Sequence, residues 1–333
     1  MIGFDAGTYN LVCCGRDDKG NFVHKREVNA FLEMPLDDRF VFNMMKTAGV
    51  PLIEREKVAY ALGEAAVNMA YAMSKIELKR PMTAGCVNPK EKDAFQIMSI
   101  MIHSLLDNVR RDGEVLYYCI PANAINEETD ADYHNKILEA IFKAFKSEDG
   151  YKVDARPINE ALALVYAELA KKAFTGIGIS FGGGMVNFCY AMYGSPVFKF
   201  AIVNSGDWID KQAAKATGET IAFINKEKTK IDLTKAPTTL VERAIHTQYR
   251  LMVEHTITGM QKGFSEAIKA VRSDTPVDIV IAGGTSSPNG FTEMFREAIQ
   301  QANLPIKIGE VIRPSDPLYS VARGCLLAAE AAK

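Results

Sequence analysis

Residues 2 to 8, IGFDAGT, begin as an apolar run and pass directly into Asp-x-Gly-Thr. The alternating stretch NLVCCGRDD from Asn10 reads as a returning strand, and Asp18-Lys19-Gly20-Asn21 turns the chain again. The same succession recurs in the second half. IGISFGGGMVNFCY from Ile177 gives an apolar strand, a glycine turn and an alternating strand, VNFCYAMYG, which ends at Gly194-Ser195-Pro196. Aligned on each other, Gly3 meets Gly178, Asp5 meets Ser180, Gly7 meets Gly182 and Cys14 meets Cys189.

The parallel extends downstream. Helical periodicity runs through EKDAFQIMSIMIHSLLDNVRR (91–111) and through the longer TTLVERAIHTQYRLMVEHTITGMQKGFSEAIKAV (238–271). After each comes an apolar strand, a turn and an amphipathic helix: EVLYYCIPANAINEETDADYHNKILEAIFKAF in one half, VDIVIAGGTSSPNGFTEMFREAI in the other. Each half therefore predicts a three-strand meander followed by helix, strand and helix, the mark of a duplicated domain.

Bulk properties narrow this picture. A chain of 333 residues with 48% hydrophobic and 24% charged residues has material for two cores and a solvated surface. A net charge of -2 supplies no general attraction for nucleic acid or anionic lipid. No run approaches a membrane span, and Asp5 interrupts the N-terminus before a signal-peptide core. Cys13 and Cys14 would point to opposite faces of one strand, so the six cysteines read as buried thiols rather than a metal site. The five histidines show no ligand spacing. These bounds predict a cytoplasmic α/β protein.

The first turn has two readings. Asp and Gly favour turns everywhere, so DAGT is compatible with a plain capped turn. Alternatively it is a phosphate loop: Gly7 admits backbone N–H groups to an anion, Thr8 adds a hydroxyl, and Asp5 holds Mg²⁺ through its waters.

In motif order from Ile2 to about Ala331, the chain resembles the actin-like ATPase superfamily, which includes actin, the MreB-type bacterial actins and the ATPase domain of heat-shock chaperones. It lies closest to the prokaryotic filament proteins. DAGT (Asp5 to Thr8) is similar to the first phosphate loop, and RPMTAGCVN (Arg80 to Asn88) to the return from a small outer subdomain. YYCIPANA resembles the connecting strand and turn, and INEALALVYAELA resembles the helix that opens on the water-orienting residue, here Glu160. SFGGGMVN (Ser180 to Asn187) sits where the second phosphate loop belongs. NSGDWID, KEKTKIDL, IAGGTSSPNG and DPLYSVARGCLLAA are similar to the following turn, the adenosine-covering Lys-Glu pair, the adenosine glycine loop and the last crossing helix.

The resemblance implies a duplicated ribonuclease H-like fold: two lobes around a nucleotide cleft, each with a five-stranded mixed sheet flanked by helices. Lobe I would span 1–158 plus 313–333, with an outer subdomain at about 28–83. Lobe II would span 159–312, with a reduced outer part at about 207–260. The lobes would join only at two crossings, around Asn159 and Pro317. ATP or ADP with Mg²⁺ would lie between Asp5, Gly7 and Thr8 on one side and Gly182, Gly183 and Gly184 on the other. Lys226, Glu227, Gly283, Gly284, Thr285 and Ser286 would surround the adenosine, although a run such as NKEKTK also suits a plain solvated surface. Glu160 would orient the attacking water; a glutamate favoured by the helix dipole is the blander reading of the same position.

Two departures qualify what carries over. Ser180 stands where the second loop normally has an aspartate, which predicts slow hydrolysis. After KIDL the chain enters a helical pattern at once, so the outer part of lobe II should be small. No amphipathic segment precedes Asp5 or follows Ala331, which predicts no direct membrane anchor. The functional expectation is ATP-dependent self-association into cytoskeletal filaments, with an unknown adaptor or cargo. A non-filamentous regulatory or kinase-like ATPase, or a degenerate nucleotide-binding scaffold, is the alternative.

Overall fold

The computed structural model describes residues 1–35, 39–55, 58–72, 78–107, 109–267 and 275–332. Its first half runs β1 (Ile2–Ala6), β2 (Asn10–Arg16), β3 (Phe22–Val28), β4 (Phe31–Pro35), α1 (Arg39–Thr47), β5 (Leu52–Arg55), β6 (Val58–Leu62) and α2 (Gly63–Ala72). It continues with a short hairpin of β7 (Met82–Thr83) and β8 (Cys86–Val87), then α3 (Ala94–Leu105), β9 (Glu114–Ile120), α4 (Ala131–Ala144) and β10 (Val153–Asn159). The second half runs α5 (Glu160–Glu168), β11 (Gly176–Phe181), β12 (Val186–Met192), β13 (Ser195–Ile202), α6 (Gly206–Thr217), α7 (Ile221–Lys228) and α8 (Leu240–Ala267). It ends with β14 (Val277–Ala282), α9 (Phe291–Gln301), β15 (Ile308–Ile312) and α10 (Ser320–Ala331).

The two halves build the same sheet. One has the order β10-β9-β1-β2-β3 and the other β15-β14-β11-β12-β13. In each, the first three strands are antiparallel neighbours and the last two join in parallel. The aligned residues keep their partners: Gly3 pairs with Cys14, and Gly178 with Cys189. These glycines have a packing reason. A Cβ on Gly3 would collide with the Ala322 carbonyl of α10, and one on Gly178 with the Ala161 carbonyl of α5. A Cβ on Gly324 would in turn strike the Ala163 carbonyl, so α5 and α10 cross with no side chain between them at that point.

Between β3 and β9 the chain adds a three-stranded sheet, β4-β6-β5, with α1 and α2. Residues 36–38, 56–57 and 73–77 of the expected outer subdomain lie outside the described residues. Between β13 and β14 the named elements are helices, α6, α7 and α8. The 28-residue α8 buries Ile245, Tyr249, Met252, Val253, Met260 and Phe264 in the core of the second sheet. At roughly 1.5–3 kcal/mol for each such side chain, this packing fixes the helix far more than propensity does. Residues 268–271, the end of the periodic pattern, and residue 108 of the earlier one lie outside the described residues. The six cysteines are buried, and Cys13 and Cys14 face different cores. Among the described residues no helix is long and apolar enough to cross a membrane.

Candidate functional site

The turn after β1 and the turn after β11 face each other. A Cβ on Gly184 would collide with Thr8 and with the backbone of Gly85, and one on Gly183 would press on Tyr9. Glycine is required there by the neighbouring chain. The second turn is itself held firmly: the Gly182 N–H donates to the Met185 carbonyl at 2.9 Å. The Gly182 carbonyl accepts from the Ser205 hydroxyl at 2.5 Å and from the Thr285 hydroxyl at 2.7 Å. A third turn follows β14, where Gly283 has φ +94° and donates to the Pro317 carbonyl at 2.9 Å.

These turns enclose a cavity of about 430 Å³. Its lining includes Asp5, Gly7, Thr8, Glu160, Ser180, Gly182, Gly183, Gly184, Gly283, Gly284 and Thr285. A larger hollow of about 610 Å³ lies at the β15 edge, between Arg296 and Val311, and has none of the glycine turns. The facing glycine turns and the buried acids Asp5 and Glu160 therefore make the smaller cavity the candidate site.

Three expected residues fall elsewhere. Lys226 places Nζ 3.4 Å from the Tyr71 ring centroid, Glu227 pairs with Lys230 at 2.6 Å, and the Ser286 hydroxyl donates to the Gly283 carbonyl at 2.8 Å. The cavity is lined from this region by Asn225, Lys228 and Thr229 instead. The reason is helical phase: residues 225, 228 and 229 share one face of α7 and the chain just after it, while 226 and 227 project away from that face.

Glu160 opens α5 because Asn159 caps it, its side chain accepting the Leu162 N–H at 3.1 Å. Burial, then the neighbouring Asp5, pushes the Glu160 carboxyl up to about 8, with the Ser180 hydroxyl bond acting the other way. Asp5 is raised by burial to about 6, against the Cys119 thiol, which donates to Oδ1 at 3.0 Å. Buried acids of this kind favour a cation beside them. Asp5 and the Ser180 hydroxyl offer the hard oxygens that Mg²⁺ and its waters take, so the residues present fit that ion.

Sequence reasoning missed Cys119, Asn187, Asn225 and Lys228. Asn187 did leave a signal, as the one amide in the otherwise apolar strand VNFCYAM. Lys228 is buried against Asp210 at 2.7 Å and the Gly206 carbonyl at 2.8 Å. Asp210 also accepts from Asn225 at 2.7 Å.

The profile of the Volactin family matches residues 1–329. The chain belongs to the Volactin family. No curated protein matches this Volactin-family chain at the sequence level. Its fold is actin-like. It is similar to MamK in a double helical filament, at TM-score 0.69 and 15% identity, covering 99% of this chain and 98% of that one. MreB5 of Spiroplasma citri bound to ADP gives TM-score 0.67 at 14% identity, covering 99% and 96%. The ethanolamine utilization protein EutJ from Carboxydothermus hydrogenoformans gives TM-score 0.55 at 17% identity, covering 98% and 88%.

Proposed function

We propose that this chain binds ATP or ADP with Mg²⁺ in the cleft, hydrolyses ATP slowly and assembles into filaments under nucleotide control. The observation that carries the reading is the opposition of two glycine turns, one from each half, across a cavity whose wall holds Asp5 and Glu160. Backbone N–H groups in those turns would cradle the phosphates, and Gly283, Gly284 and Thr285 would lie along the nucleoside. Asp5 would hold Mg²⁺ through water, and the ion would offset phosphate charge. Glu160 would accept a hydrogen bond from the attacking water and orient it.

The filament part is supported by likeness in fold to MamK, described in a double helical filament, and to MreB5, described with ADP and with AMPPNP. Lobe I would comprise 1–158 plus 313–333, with its outer part at about 28–83. Lobe II would comprise 159–312, with its outer part at about 207–260. The protein would act in the cytoplasm, joined to its task by an adaptor or cargo. A scaffold that binds nucleotide without turning it over is the second reading. Ser180, in place of a metal-side acid, favours it.

A melting scan tests the binding claim. Ligand at a hundred times its dissociation constant stabilises a folded protein by about 2.7 kcal/mol. ATP with Mg²⁺ should therefore raise the melting temperature by several degrees, and Asp5→Ala should lose most of the Mg²⁺-dependent part. No shift at saturating ATP and Mg²⁺ would remove the cleft reading.

A further inference from the structure

Asn187 sits 1% exposed in β12 and makes two bonds to groups far apart in the chain. Its Nδ2 donates to Glu160 Oε2 at 2.8 Å, and its Oδ1 accepts the Ala122 N–H at 3.0 Å. The pair of bonds fixes the amide's orientation, because a flipped side chain would set oxygen against carboxylate and NH₂ against N–H. Glu160 begins the helix that leads into the second sheet. Ala122 follows β9 of the first sheet, across the cleft.

The other oxygen of Glu160 has a different outlook. Oε1 lies 3.9 Å from where a Cβ on Gly182 would be, so it faces the second glycine turn and the space that the missing side chain leaves. One oxygen is pinned while the other looks toward the expected phosphate position. We propose that Asn187 is a positioning residue that ties the Glu160 carboxylate to the opposite lobe, so that Glu160 is aimed at the attacking water only when Ala122 is docked across the cleft. This rests on the hydrolysis reading of the cleft. A carboxylate at the first position of a helix has several staggered side-chain torsions, and the amide, itself oriented by the Ala122 N–H, would select one of them.

The test combines single-turnover phosphate release at saturating ATP and Mg²⁺, titration with a fluorescent ATP analogue, and amide hydrogen exchange at Ala122. Asn187→Ala should slow turnover by about ten- to a hundredfold while leaving nucleotide affinity within about twofold. The double variant with Glu160→Ala should be no slower than Glu160→Ala alone, because Asn187 acts through Glu160. Ala122 exchange should accelerate in Asn187→Ala, while the Tyr118 amide in β9 stays protected. Asn187→Asp keeps the shape and the acceptor for Ala122 and removes the amide donor, so it should retain Ala122 protection and still lose turnover. Multiplying effects in the double variant, or unchanged Ala122 exchange in Asn187→Ala, would overturn the proposal. If Glu160→Ala alone leaves turnover unaltered, the hydrolysis reading fails separately from the Asn187–Ala122 bond, which the exchange measurement still judges.

Discussion

Burial, then the neighbouring acid Asp5, raises the Glu160 carboxyl to about 8, and Asp5 is itself raised by burial. A third carboxylate at position 180 would add like charge to that pair, whereas the Ser180 hydroxyl donates to Glu160. Ser180 therefore has a partner of its own, which the alignment with Asp5 did not reveal. Asp5, Gly7, Thr8 and the Gly182, Gly183 and Gly184 turn were legible because each belongs to a repeated strand-turn-strand pattern. Lys226 and Glu227 do not line the cavity, and a short helix of mixed charge carries no mark in the sequence of which face looks inward. Away from the cleft, His134 is fully buried, accepts the Val87 N–H at 3.3 Å and is lowered by burial to about 4. Its unfolded value is near 6.5, so the unfolded chain binds the extra proton first as pH falls. The contribution is therefore present in full above about 6.5, falls steadily as pH drops below that value, and is wholly lost by about 4. Between pH 7.5 and 5, wild type should lose about 2 kcal/mol more than His134→Asn, which keeps the acceptor and does not titrate. Urea unfolding of both proteins at pH 7.5 and 5 checks it; parallel losses would show that His134 is not buried neutral.

The β7–β8 hairpin is the element that His134 steadies, and it reaches across the cleft. Its turn, Ala84 (φ +46°) and Gly85 (φ +74°), has the two positive φ angles of a tight hairpin, and a Cβ on Gly85 would collide with Met185. Just before β7, Arg80 pairs with Asp207 of α6 at 2.6 Å and lies 4.7 Å from the Tyr9 ring centroid. Tyr9 in turn donates to Asn225 at 3.2 Å. Arg80, Tyr9 and the Lys226–Tyr71 contact thus span the mouth of the cleft. Arg80→Ala should speed release of a bound fluorescent nucleotide roughly tenfold, equivalent to about 1.4 kcal/mol lost from the closed state. Stopped-flow displacement measures this, and an unchanged release rate would mean that the cleft opens without parting Arg80 from Asp207. The long helix α8 and the paired meanders were legible because their periods are long and clean. The outer sheet was not: β5, LIER, is four residues with a charged end and leaves no usable alternation.

At the scale of the molecule, the duplication is physical as well as sequential. Both halves carry one sheet order, one glycine-cysteine pair under a crossing helix, and one glycine turn aimed at the shared cavity. Besides the two expected chain crossings around Asn159 and Pro317, non-covalent bonds join the halves. Beyond the side-chain contacts at the cleft, a backbone link is present: Ala124 bridges to Ala201, with the Ile125 N–H donating to the Ala201 carbonyl at 2.9 Å and the Ala201 N–H to the Asn123 carbonyl at 3.2 Å. Asn126 adds an acceptor for the Val203 N–H at 3.1 Å. Sequence periodicity shows no such bond, because a single bridge leaves no repeat. If the cleft closes over nucleotide as proposed, closure would carry this backbone link as well as the hinges and would couple the cleft to the relative setting of the lobes. If that setting shapes a subunit contact, assembly follows the nucleotide. The most direct measurement is sedimentation, with negative-stain microscopy, of the full chain in Mg²⁺ with ATP, with ADP and without nucleotide. Pelletable filaments are expected with ATP and fewer with ADP. A single monomeric species under all three conditions would contradict nucleotide-controlled assembly.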